Sequence, residues 1–264
     1  AEVDAVLRRA VQTGCAFDDI EVACAHEDQA LLAWEKALGL GWPVTLATGV
    51  PVGLTQPGRA LAGYCRWLAS NLSARVLIDA LQDGAWWPAV LAAADEGEVA
   101  VSASQAARVV AKSAATWGAH TYALSLTRLI ERETARAADL DLEAATRERA
   151  GEQRERARRV LAWIDDLLRA VPGADADGVA IADVVEAARR AVASMASHVS
   201  ALDRLAAAAL DASLAELKGL GRRRAPLETA LRFIEEQVAR VRVGRDRPRA
   251  GHLHIGLLRD AGVD

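Results

Sequence analysis

With 264 residues and a net charge of −4, the chain is long enough to bury a core in one or two domains, and it carries no global basic field to draw in nucleic acid; any such contact has to come from local patches. No apolar run reaches the ~20 residues that span a bilayer, and no signal-peptide pattern opens the chain, so a cytoplasmic protein without a membrane partner is expected. Alanine and leucine carry the apolar load while phenylalanine and tyrosine number two each, a balance that favours helix over strand.

The pattern opens with helical spacing at Val3, Val6, Leu7, Ala10 and Val11, closed by Gly14. Ile20, Val22 and Cys24 then alternate with more polar neighbours and predict a half-buried strand. Leu31, Leu32, Trp34, Ala37 and Leu38 mark a helix ending near Gly39 and Gly41, and Trp42-Pro43 opens a second short strand through Val44 and Leu46. Gly49, Pro51 and Gly53 make a loop. Pro57 suits the first turn of a helix whose inner face is Leu61, Tyr64, Cys65 and Leu68, and Ser73 can cap another that ends at Gly84.

From Ala85 onward the strand signal disappears. Ser102 and Gln105 fit a capping box before a helix running toward Arg136. Residues 140–171 read as one long charged helix, with Glu152–Arg156 and Glu155–Arg159 pairs outside and Val160, Trp163, Ile164, Leu167 and Leu168 inside. A third stripe runs from Ile181 through Val199 to Leu217, followed by a basic loop, Gly219 to Arg224, and a last helix from Pro226. After a polar return, Gly244 to Ala250, the segment from His252 to Gly256 reads as a strand again. The expectation is mainly α: a small parallel α/β domain, residues 1–84 plus 250–264, interrupted by an all-helical insertion at 85–249. The last strand must then find its sheet partners in the first block.

Several chemistries are missing. There is no GxxxxGK[ST] phosphate loop, no GxGxxG turn, no GxSxG and no HExxH. His252 and His254 share a strand face and could meet a metal, but no third ligand follows by spacing, and ordinary strand-edge histidines are the simpler reading. The carboxylates Asp18, Asp19, Glu21, Glu27 and Asp28 read as loop and helix N-terminal charges rather than an acid–base pair. Cys15, Cys24 and Cys65 read as buried free thiols. Arg222, Arg223 and Arg224 form the sharpest basic cluster: either they grip phosphates, or they are solvated or paired with acidic helix faces. Trp86 and Trp87 either stack on a base or anchor packing at a domain junction.

The ordered set Asp19-Ile20-Glu21-Val22, Gly41-Trp42-Pro43-Val44 and Ala60 to Leu68 resembles the start of the second motor domain of superfamily 1 helicases of the UvrD/Rep type. The run Gly49 to Leu61 is closer to the helicase-like subunits of AddB type in bacterial helicase–nuclease complexes, where a large helical insertion interrupts that domain. Residues 257–264 occupy the place of the family's "T-L-H-x-A-K-G-L-E" motif, without its lysine and with Arg259 where a histidine is usual. After the first strand, Cys24-Ala25-His26 stands where the family has Tyr-Arg.

The resemblance implies a degenerate motor domain in a fragment of a larger DNA-repair and recombination protein. That protein would be an ATP-dependent exonuclease or helicase subunit, with ATP and magnesium held by other segments. The fragment itself is expected to hydrolyse nothing and to need no cofactor, serving to guide DNA or brace a partner subunit. Its expected phosphate contacts are Arg222, Arg223 and Arg224, with Arg59 and Arg66 near the motor-type loop. The competing expectation is a helical protein–protein scaffold, docking through the charged helix at 140–171, with no nucleic-acid role.

Overall fold

The computed structural model describes residues 2–92, 99–196, 200–217, 219, 221 and 223–259. Its elements in chain order are α1 (Glu2–Gln12), β1 (Glu21–Cys24), α2 (Glu27–Gly39), β2 (Val44–Leu46), β3 (Val50–Pro51), α3 (Gln56–Ala69), α4 (Ala74–Gln82), α5 (Ala89–Ala92), α6 (Ala103–Ser113), α7 (Ala119–Ala138), α8 (Ala144–Arg169), β4 (Val179–Ala180), α9 (Ile181–Met195), α10 (Ala201–Leu217), β5 (Arg224–Ala225), α11 (Leu227–Val238), β6 (Arg242–Val243) and β7 (Leu253–Leu257). They divide into two compact units: the described residues up to Val52 together with those from Val241 onward, and Gly53–Arg240.

The first unit is built on a three-stranded sheet of order β1-β7-β2. Both pairings are parallel, with Val22 opposite Ile255 on one side of β7 and Leu46 opposite Ile255 on the other. The last strand thus lies between the two opening ones, as an interrupted α/β domain requires. Alternation sorts the faces. Val22, Cys24, Leu46, Leu253, Ile255 and Leu257 are buried, and α2 offers Ala30, Ala33 and Ala37, also buried. The leucines that marked this helix in sequence are peripheral: Leu32 and Leu38 are exposed. Small side chains let the helix axis approach the strands closely. The other face carries the row Glu21, His254 and Thr45 across the three strands. A second, antiparallel ladder joins β3 to β6 where a plain loop was expected at residues 49–53, and the main chain of Val52 donates to Val241.

The second unit is helical around an aromatic core. Trp67 and Trp86 are fully buried and meet edge to face at 5.8 Å; Trp86 meets Trp163 at 6.4 Å, and Trp67 meets Tyr122 at 6.3 Å. Polar tips find partners: Trp67 Nε1 donates to the Tyr122 hydroxyl, which donates to the Leu72 carbonyl, and Trp86 Nε1 donates to the Ala60 carbonyl. That last bond requires Gly63, because a Cβ there would stand 2.7 Å from Trp86 Nε1. Thr55 caps α3, its hydroxyl accepting from the Gly58 amide.

Several expectations change here. Residues 53–84 group with the helices, since α3 packs on α9, α10 and α11, and α4 on α6; the boundary lies near residue 52 rather than 84. The single helix expected toward Arg136 is two, because Ala114 turns left-handed (φ 58°) after the predicted Ser102–Gln105 capping box and α6. The stripe from Ile181 to Leu217 is also two helices, α9 and α10; Val199 lies outside the described residues. The insertion is not purely helical, since β4 and β5 form an antiparallel ladder. Arg159 does not pair with Glu155 as predicted: it donates to the carbonyls of Val99 and Val90, and Glu155 pairs with Arg158.

Candidate nucleic-acid interface

Arg224 is a structural clamp. As the first residue of β5 it pairs with Ala180, and its guanidinium bonds Asp175 Oδ2 at 2.6 Å and the Gly178 carbonyl at 2.7 Å. The turn it braces is tight. Asp175 and Gly178 exchange main-chain bonds at 3.1 Å, Gly178 sits at φ 97°, and a Cβ there would lie 2.2 Å from the Ala225 carbonyl oxygen. Only glycine fits, and the chain before α9 is fixed by it. Arg224 thus differs from a free surface cation: one terminal nitrogen of its guanidinium is already engaged by a carboxylate and a carbonyl.

Arg223 is different. Its carbonyl accepts from the Ile181 amide at 3.0 Å, so its backbone is anchored, while its side chain is exposed and has no partner among the described residues. Arg222 lies outside the described residues. Arg59 and Arg66 are exposed, two turns apart on α3, and share its solvent side with Ala62. They belong to the helical unit, not to the α/β unit where the motor-type loop was expected. Among the described residues of the expected set, the free cations are therefore Arg223, Arg59 and Arg66. The ladder that holds Arg223 was hidden in sequence because each of its strands is two residues long.

The tryptophan alternatives also resolve in geometry. Trp86 is a packing anchor. Trp87 is half-exposed, its main-chain amide bonded to the Met195 carbonyl at 2.7 Å. Cys24 and Cys65 are buried free thiols, but Cys15 is exposed. Burial, with a smaller contribution from Glu235, pushes the Cys65 thiol up to about 12. The long helix α8 carries internal pairs among its charges, Glu152–Arg156 at 2.8 Å, Glu155–Arg158 at 3.5 Å and Asp166–Arg169 at 2.7 Å.

In the α/β unit, the turn after β1 leads directly into α2. His26 is the N-cap of α2: its amide donates to the Gln29 side-chain oxygen at 3.4 Å, while the Gln29 amide donates to Asp28 Oδ1 at 2.9 Å. The next residue, Glu27, pairs with Arg242. The two histidines diverge: His252 precedes β7 and its ring donates to the Ala250 carbonyl, whereas His254 lies in β7 against Thr45. No cluster of metal-ligand type occurs among the described residues, and no helix among them is long and apolar enough to cross a membrane. Residues 260–264, the end of the motif-like segment, lie outside the described residues. The polar return 244–250, which the sequence offered only as a connection, brings Arg245 and Arg247 beside His254.

No family model matches the chain, and no curated protein matches it.

Proposed function

We propose that this chain is a non-catalytic portion of a DNA-processing helicase–nuclease subunit of AddB type, a degenerate second motor domain with its helical insertion, which guides DNA or braces a partner subunit. One observation carries the reading: β7 pairs in parallel between β1 and β2, with the whole helical unit spliced between the strands. That is the chain order the sequence resemblance calls for. Supporting it, Arg223, Arg59 and Arg66 present guanidinium groups to solvent, a geometry suited to phosphate oxygens. The role is non-catalytic because phosphoryl transfer needs a phosphate cradle with metal-binding carboxylates, and this sequence has no phosphate-loop motif.

The test is titration of the chain with single-stranded and duplex DNA at several salt concentrations. The reading expects binding that weakens steeply as salt rises, and a further weakening when Arg59, Arg66 and Arg223 become alanine. Absence of binding at low salt would overturn it in favour of a helical protein–protein scaffold.

A further inference from the structure

The return 244–250 is pinned against the end of β2. The Asp246 amide donates to the Leu46 carbonyl at 3.1 Å, and Arg245 Nε donates to the Ala47 carbonyl at 3.0 Å. Beside this strap lies the polar sheet face. Thr45 is buried, and its hydroxyl sits 2.8 Å from His254 Nδ1, which orients the ring and leaves Nε2 as its free nitrogen. Strap and sheet enclose a cleft of 540 Å³ lined by Ala47, Arg245, Asp246, Arg247, Pro248 and His254.

The charges in this cleft do not cancel. Asp246 is engaged by Arg249 at 2.7 Å, outside the pair Arg245 and Arg247. Arg245 spends only Nε on Ala47, so its terminal nitrogens stay available. The Arg247 side chain has no partner among the described residues. Glu21, on the same sheet face, is the one opposing group in the cross-strand row; its Oε1 and His254 Nε2 both border the space over Gly256. Two guanidinium forks and an imidazole nitrogen around one cleft suit an oxyanion with several acceptor oxygens.

We infer that this cleft is a phosphate-binding site, and that its ligand is the backbone phosphate of a DNA strand. The choice of source rests on the function proposed above, and the lining favours it over a free nucleotide: Ala47 and Pro248 are its apolar surface, and no Phe, Tyr or Trp lines it as a platform for a base to stack on. The site belongs wholly to the α/β unit, separate in sequence and in unit from Arg59, Arg66 and Arg223.

The experiment uses the whole chain, a labelled single-stranded oligonucleotide and inorganic phosphate. Fluorescence anisotropy across a salt series compares the wild type with R245A/R247A and with R245K/R247K. The alanine pair is expected to weaken binding at low salt by about tenfold and to flatten the salt slope by about 1.4, for two lost single-strand contacts. The lysine pair, which keeps charge without the fork, falls between and serves if the alanine pair does not fold. Inorganic phosphate should shift the His254 ring resonances in the wild type and not in R245A/R247A. If the wild type binds DNA and the double variants bind it equally well with the same slope, the site is wrong and the DNA reading stands. If phosphate shifts His254 but DNA does not bind, the cleft is a phosphate site for another ligand, and the DNA source and the proposed function both fall. If neither occurs, both proposals are overturned.

Discussion

The helical unit has a cluster of large aromatic side chains at its centre, whereas in the α/β unit a helix face of alanines meets an aliphatic sheet. In the first, Trp67, Trp86, Trp163 and Tyr122 touch in a chain of edge-to-face contacts, and most of their polar tips are hydrogen-bonded inside the core. In the second, three alanines of α2 meet a sheet of valine, leucine, isoleucine and cysteine. The difference sets where each unit is vulnerable. A core of interlocked rings suffers when one ring is removed, because nothing nearby can collapse into the space. A core whose close approach depends on alanine suffers when something larger is inserted.

Truncation should therefore dominate in one unit and overpacking in the other. Trp67→Ala is expected to produce the largest effect, about 3–5 kcal/mol, because it opens a cavity in the aromatic cluster and takes a donor away from Tyr122. Denaturant unfolding read by far-ultraviolet circular dichroism measures it. Ala33→Leu, which is 1 % exposed on the sheet-facing side of α2, should cost about 1–3 kcal/mol in the same assay. If Ala33→Leu were neutral, the close helix-to-sheet packing would be wrong.

The pH dependence sharpens the comparison within the helical unit. Burial stabilises the neutral Cys65 thiol, raising it from 9.0 to about 12. The unfolded chain releases this proton first, so between pH 9 and 12 it binds fewer protons than the folded chain, and stability falls as pH rises through that window. Tyr122, raised by burial from 10.0 to about 12 against an opposing hydrogen bond from Trp67, acts in the same direction. Cys65→Ala should flatten the loss, measured as midpoint denaturant concentration against pH.

The smallest effects separate two neighbouring arginines. Arg224→Ala should lower stability by less than about 1 kcal/mol, since its ion pair with Asp175 is partly exposed, and should leave DNA affinity nearly unchanged. Arg223→Ala should leave stability unchanged and reduce DNA affinity and its salt slope. Melting temperatures and anisotropy on the same two variants check the pair.

The sheet was legible in sequence because alternation at Ile20, Val22 and Cys24 and the run from His252 to Gly256 are both period-two patterns with turn residues beside them. Helix starts were legible where a start signal was chemically explicit, as at Ser102 with Gln105 and at Pro57, where the sequence leaves Thr55 and Gln56 both open as the cap and the structure gives Thr55. The unit boundary was not, because α3 and α4 follow the sheet in the chain but spend their apolar faces on α6, α9, α10 and α11, and periodicity does not say which partner a face chooses. The break at Ala114 was hidden because a left-handed alanine carries no composition signal. The arginine cluster was visible as charge, but which arginine is free depends on a carboxylate 49 positions upstream, Asp175, that only folding brings to Arg224. The cleft beside His254 was missed for the same reason: Thr45 and His254 are 209 residues apart and meet only across the sheet.

The most direct measurement is hydrogen exchange of the whole chain with and without single-stranded DNA at low salt, resolved by segment. The account predicts slower exchange on adding DNA around Arg223, along the return 244–250 and at the start of β7, with no change in α8. Exchange that slows in none of these segments, or slows only in α8, would contradict it.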